Sequence, residues 1–270
     1  MTLSVSTKTN KLKINFLRYW EILYVLVERN LKGRYRGSFL GVYWSLLNPL
    51  IMTGIYTAIF GATFSAYYND STIDYVLAAF TGLTVINFYS SSTVQALSSV
   101  VGNGALLNKI KLPVSVFPVS MITANIFQFC MGMLPLLIIV TLIRSHSLVN
   151  ALCLIFPFGA LCLFCTGVGF FVSALFVFFR DLPYFYELVT FVMWFSSPVF
   201  YPAEIVPQTI QPFLALNPLS PIIESLREIS LQSDFPSFEL IFRCWLSGII
   251  FFVIGLLFFR WCKPKFMDLL

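Results

Sequence analysis

The sequence predicts an all-α integral membrane protein with six transmembrane helices, an N-terminal amphipathic interface helix and short re-entrant helices on the external side. Three observations carry this. Only 11% of the 270 residues are charged, against 58% hydrophobic. The apolar residues gather at 39–64, 75–101, 114–143, 148–179, 184–201 and 240–259. Each stretch approaches the roughly 20 residues that a helix needs to cross a hydrocarbon core of about 30 Å. Finally, a run such as 153–179 is apolar on every face, whereas transmembrane β-strands alternate polar and apolar over about ten residues.

Taken in order, residues 1–15 are polar and basic and read as a cytoplasmic tail. No short apolar core with a small-residue cleavage site follows them, so a removed signal peptide is not expected. Residues 16–36 form the interface helix. Phe16, Tyr19, Trp20, Leu23, Tyr24, Val27 and Leu31 recur at steps of three and four, with Arg18, Glu21, Glu28, Arg29 and Lys32 between them. Such a helix lies at headgroup level, either as an anchor or as a docking platform for a cytoplasmic partner. Residues 37–261 are the transmembrane domain. Gly33, Gly37 and Gly41, four apart, either permit close helix contact or break the interface helix before the first span. The connector 202–237 holds Pro202, Pro207, Pro212, Pro218, Pro221 and Pro236, and its middle, 205–216, is apolar. A segment too short to span and too apolar to be solvated is expected to dip back into the outer leaflet, its backbone satisfied against protein. Residues 262–270 form a second cytoplasmic tail.

Positive charge sets the orientation, because lysine and arginine are retained on the cytoplasmic side. With an inside N-terminus and six crossings, all 17 lysines and arginines except Arg144, Arg227 and Arg243 fall on that side. Both termini are therefore expected inside. Asp70, Asp74, Glu204, Glu224, Glu228, Asp234 and Glu239 lean outward. The net charge of +5 reads as topology rather than as nucleic-acid affinity.

Several chemistries lack their residues. No glycine is followed by lysine, so the loop that cradles nucleotide phosphates is missing and the chain is not its own ATPase by that route. Ion-coupled carriers keep ionisable groups near the midplane. Here Glu187 is the main exception, about one turn inside the fifth span. The six cysteines lie in or at the ends of apolar runs, and the Cys162/Cys165 pair has no second ligand pair, so neither a disulfide framework nor a metal site is expected. The one histidine, His146, falls in an external connector beside Arg144, and no nucleophile with a base accompanies it. The remaining classes are a membrane subunit driven by another protein and a non-transporting scaffold.

The segment Val27-Glu28-Arg29-Asn30-Leu31-Lys32-Gly33-Arg34-Tyr35-Arg36-Gly37-Ser38-Phe39-Leu40-Gly41-Val42-Tyr43-Trp44 continues to Asn48-Pro49. It fills R-x-x-K-x-R-Y-x-x-S followed by L-G-x-x-W-x-x-x-x-P, and in this it resembles the ABC-2 permeases that export polysaccharides. Further matches keep the family's order: Lys109-Ile110-Lys111-Leu112-Pro113, Phe179-Arg180-Asp181, Ser197-Pro198-Val199-Phe200-Tyr201-Pro202, and Asn217-Pro218-Leu219-Ser220-Pro221 with Arg227. The likeness runs from about residue 16 to 228. It implies a dimer of this chain with two ABC ATPase subunits that bind ATP and Mg. It also implies a lipid-linked glycan as cargo and a bacterial plasma (inner) membrane location. No cofactor is expected on this chain and no bond chemistry from it. Contact with the ATPase is implied for Arg29, Lys32, Arg34, Arg36, Lys109, Lys111, Pro113, Arg180 and Asp181. Arg180 and Asp181 also suit a charged turn that caps two helix ends and pairs locally. An external gate is implied at Pro202, Pro207, Asn217, Pro218 and Arg227.

Aromatic residues bear on the cargo. Tyr56, Phe60 and Phe64 fall on one face of the first span, and Tyr184, Phe191, Trp194, Phe195 and Tyr201 cluster in the fifth. Rings stack on the C–H faces of sugars, and tyrosine and tryptophan add a hydrogen-bonding edge. These rings either line a pore for a hydrated polymer or serve as ordinary lipid-facing and packed residues. A small hydrophobic cargo remains open, as does the scaffold.

Overall fold

The computed structural model describes residues 3–68, 70–202, 205–231 and 237–269, and these contain helices and no strand. In chain order the helices are α1 (Leu3–Tyr35), α2 (Trp44–Phe64), α3 (Thr72–Ser99), α4 (Gly104–Leu107), α5 (Val116–Ser145), α6 (Leu148–Cys153), α7 (Ile155–Phe178), α8 (Leu182–Ser196), α9 (Gln211–Ala215), α10 (Ser220–Leu231), α11 (Phe238–Cys262) and α12 (Phe266–Leu269). Among the described residues, five segments are long and apolar enough to cross a membrane: Gly41–Tyr67, Thr72–Ser99, Val116–Ser145, Leu148–Phe178 and Phe238–Lys265.

The fifth expected span departs from its sequence reading. Helix α8 has 15 residues, about 22 Å at 1.5 Å per residue, and stops at Ser196 instead of continuing to 201. Pro198 is the cause, because the residue before a proline is driven out of the helical region. Ser197 accordingly has ψ 136°. The chain nevertheless keeps descending along α3: Leu182 packs with Leu97, the Tyr186 and Tyr89 hydroxyls meet at 3.2 Å, and Val199 lies against Gly82.

The interface helix also differs at its start. It is continuous from Leu3, so its backbone includes most of the segment read as a tail. Its protein-facing stripe is Leu23 and Leu26, flanked by Tyr19, Ile22 and Val27. Trp20 and Tyr24, read from the sequence as part of an apolar face at headgroup level, are 54% and 70% exposed. The Phe16 side chain lies outside the described residues. Gly33, Gly37 and Gly41 have no neighbour where a Cβ would stand. Within the chain, then, they make no close helix contact. Gly37 and Gly41 take φ +78° and +50°, a left-handed backbone that ends α1 and redirects the chain into α2.

Two main apolar clusters hold the bundle, beside a small one of Leu97, Val172, Leu182 and Tyr186. The larger is built from α3, α5, α7, α10 and α11, with Leu83, Phe129, Leu161, Phe164 and Leu226 at its centre. The second lies at the α1 end and joins Leu23 and Leu26 to Leu107, Val116, Phe117, Phe170, Phe259 and Phe266. Helices α7 and α11 touch backbone to backbone. A Cβ on Gly255 would overlap the Gly167 carbonyl, and one on Gly248 would stand 2.8 Å from the Ala160 oxygen. Such small residues let apolar helices approach within dispersion range. At the far end an Arg144–Asp74 ion pair ties the end of α5 to the start of α3, and His146 closes α5 with φ +51°.

Candidate transport path and docking surface

The aromatic residues singled out in the first and fifth stretches converge. Along α2 the rings of Tyr56, Phe60 and Phe64 stack in succession at 6.1 and 5.8 Å. On α8, Phe191 stacks with Trp194 at 6.0 Å and with Phe195 at 6.3 Å. Phe200 joins the two sets, its ring 3.6 Å from Tyr56 and 5.2 Å from Trp194. Tyr75 extends the array from Phe64 and donates its hydroxyl to the Phe200 carbonyl at 3.0 Å. Tyr201 donates to the Phe195 carbonyl at 3.1 Å. Tyr184 stays apart, 77% exposed at the start of α8. Phe200 and Tyr75 escaped sequence reasoning because one lies beyond the helix and the other in a different span. The wall carries no charge on α2 and only Glu187 on α8.

The proline-rich connector builds a second constellation. Residues 203–204 and 232–236, including Glu204, Asp234 and Pro236, lie outside the described residues. The Asn217 amide donates to Ser196 Oγ at 3.0 Å and Ser197 Oγ at 2.9 Å, while its carbonyl accepts from Leu219 N–H at 2.9 Å. Arg227 donates to the Pro198 carbonyl at 2.9 Å and to Ala78 at 3.3 Å, with its guanidinium over the Tyr68 ring. The loop thus fixes the non-helical stretch after α8 against α3. The Pro218 and Pro221 carbonyls accept from Ser247 and Cys244 of α11. Cys244 is six residues past Phe238, so α10 begins about 9 Å along α11 from its start. The buried face of α10, Ile222, Ile223, Leu226 and Ile229, closes the core there. Pro202 is buried, and Pro207 starts the turn into α9, accepting from Ile210 N–H at 2.8 Å. Between α8 and α9 lies an apolar cavity of about 670 Å³, bounded by Val192, Met193, Phe195, Ile205, Ile210 and Leu214.

The residues expected to couple to a partner divide. Arg29, Lys32 and Arg36 share a groove on α1 with Val25 and Glu28. Arg29 also donates to Asn103 Oδ1 at 2.9 Å, linking α1 to the turn after α3. Lys32 pairs with Glu28 at 2.5 Å, and the carboxylate pushes the lysine pKa up. Lys109 and Lys111 are exposed on the following loop, and the Pro113 carbonyl accepts from Val116 N–H at 2.9 Å to start α5. The loop's Leu107, Leu112 and Val114 pack on the α1 stripe, so groove and loop form one unit. Arg180 and Asp181 do not cap and pair as expected. The Asp181 side chain caps nothing, and Arg180 instead donates to the Leu269 carbonyl at 3.1 Å.

Arg34 leaves the group altogether. Its guanidinium turns inward and donates to Asn125 Oδ1 at 3.1 Å, to Gln128 Oε1 and to Gln95 Oε1. The signal for this inward turn lies in the amides of the apolar runs, with Asn87, Ser91 and Gln95 four apart on α3.

Two comparisons bear on this arrangement. The family model for the ABC-2 type transporter matches residues 21–231. Over 264 residues, 96% of this chain and 99% of the relative, the sequence is 28% identical to the O-antigen export system permease protein RfbA of Klebsiella pneumoniae. It is 29% identical over 230 residues to the protein of the same name from Myxococcus xanthus, covering 82% of this chain and 85% of that one.

Proposed function

This chain belongs to the ABC-2 type transporter family, and from that premise we propose that it is the membrane subunit of an exporter that moves a lipid-linked polysaccharide outward. Its relatives' names supply the cargo class, and their likeness covers nearly the whole chain. The observation that carries the reading is the nearly uncharged aromatic wall shared by α2, α8 and Phe200. Ring faces hold sugars by their C–H surfaces without the tight grip that a fixed charge would add. A polymer can then advance one residue at a time.

The rest of the assembly follows the same reading. Two copies surround a pore lined by α2 and α8, with the termini in the cytoplasm of a bacterial inner membrane. Two ABC ATPase subunits dock on the α1 groove and the Lys109–Lys111 loop and bind the ATP and Mg. The chain itself makes and breaks no bonds. The sixth crossing is α8 with its 197–202 tail, and α9 and α10 form the re-entrant gate. Arg227 and Asn217 hold that gate against the tail.

A small hydrophobic cargo is the second reading, favoured by the apolar cavity between α8 and α9. Alanine replacements separate the two. Singly replacing Tyr56, Phe60, Phe64, Phe191, Trp194 or Phe195 lowers surface polysaccharide per inserted permease, while ATPase docking persists. Unchanged export across the set rejects the aromatic path.

A further inference from the structure

A cavity of about 340 Å³ with mixed polar and apolar walls lies among α1, α2, α3 and α5. Its volume falls within the range of small-molecule sites. Arg34 is its one charged residue, and no carboxylate lines it. An arginine has five N–H donors. Three of Arg34's are taken by neutral amide oxygens, which leaves its charge uncompensated. The supporting amides are themselves fixed: Asn125, 3% exposed, donates to Gln95 Oε1 at 3.0 Å and to the Met121 carbonyl at 2.9 Å. The guanidinium is thus held in place for an anion.

The remaining walls suit a sugar. Asn48, Asn87 and Ser91 face the cavity, and their side chains make no hydrogen bond among the described residues. Asn87 stands midway along a helix that is apolar enough to cross a membrane. Polar groups at such a depth normally find a partner in a neighbouring helix. Trp44 supplies a ring face beside them. Asn48 precedes Tyr56 by eight residues of α2, about 12 Å along its axis, so the cavity and the aromatic wall share that helix.

We propose that this cavity binds a phosphorylated sugar, with Arg34 holding the phosphate and Asn48, Asn87 and Ser91 the hydroxyls. Resting on the export reading, this makes the cavity the place where the phosphate-bearing end of the glycan is held before its chain enters the wall. The same chemistry serves a soluble sugar phosphate or a polyprenyl-linked one.

The test is equilibrium binding of radiolabelled glucose 1-phosphate to the full chain with its ATPase in neutral-lipid nanodiscs. Glucose, inorganic phosphate and a polyprenyl-phosphate-linked glucose serve as competitors. Saturable binding is expected, with inorganic phosphate and glucose each at least tenfold weaker competitors than glucose 1-phosphate. Arg34→Gln should weaken binding at least tenfold, and Arg34→Lys less. Asn87→Ala and Asn48→Ala, which leave the Arg34 network intact, should weaken it severalfold, so the proposal stands or falls even where Arg34→Gln does not fold. Stronger competition by the polyprenyl form assigns the site to the lipid-linked cargo, and equal competition assigns it to any sugar phosphate. Absent saturable binding, parental affinity in both asparagine variants, or inorganic phosphate competing as well as glucose 1-phosphate overturns the proposal. Export by the aromatic-wall variants is measured separately, so a failed cavity leaves the exporter reading standing.

Discussion

Replacing Gly255 by alanine adds one methyl group where α11 meets α7, and the structure sets the cost. The new Cβ would overlap the Gly167 carbonyl and stand 3.0 Å from its Cα, so backbone rather than a flexible side chain must yield. Overpacking of this kind costs about 1–3 kcal/mol. Alanine's better helix propensity returns about 0.5–1 kcal/mol. Gly54 provides the control, because nothing lies within 4 Å of its Cβ position. There the same substitution delivers the propensity gain alone. The two variants should therefore differ by the overpacking cost itself, about 5- to 150-fold in the unfolding equilibrium. Unfolding by SDS in mixed micelles reads both midpoints. Gly248→Ala, with a 2.8 Å contact, should fall between them. If Gly255→Ala and Gly54→Ala unfold at the same midpoint, the α7–α11 seam is not the close contact described above.

Two further outcomes follow from the anchoring residues. Arg227→Met removes two charge-assisted hydrogen bonds, each contributing about 1.5–3 kcal/mol at most, from the Pro198 and Ala78 carbonyls. A lowered melting temperature in detergent and reduced export are expected, and Arg227→Lys should recover only part of both, because an ammonium lacks the planar guanidinium that lies over the Tyr68 ring. Parental behaviour in Arg227→Lys would show that charge alone suffices. Reversing charge at Arg29, Lys32 or Lys109 should weaken ATPase co-purification or separate hydrolysis from export, and normal coupling in all three assigns these residues to topology.

The spans were legible because each needs only a long apolar run, and composition reports that directly. Their ends were less so. The end of α8 depends on one proline, Pro198, inside an otherwise apolar stretch, and run length is blind to it. Helical spacing put Tyr56, Phe60 and Phe64 on one face of their span and clustered Phe191, Trp194 and Phe195 on theirs, but the meeting of the two sets through Phe200 depends on the fold after α8. Arg34 was hidden for another reason. It sits in a basic cluster whose other members face outward, and only the amides of α3 and α5, far along the chain, draw it inward. On α1, periodicity marked the apolar positions, but which of them meet the rest of the chain, Leu23 and Leu26 rather than Trp20 and Tyr24, depends on α4, α5, α7 and α11 far along the sequence.

The abrupt end of α8 leaves this part of the chain in two pieces that keep their shape for different reasons. A helix rises a fixed 1.5 Å per residue by its own hydrogen-bond ladder, whereas residues 197–202 take their path from elsewhere in the chain: Val199 is buried in the core, and Asn217, Arg227 and Tyr75 hold the stretch by side-chain hydrogen bonds. Where α8 ends is therefore registered against α3 and α10 rather than by the helix itself.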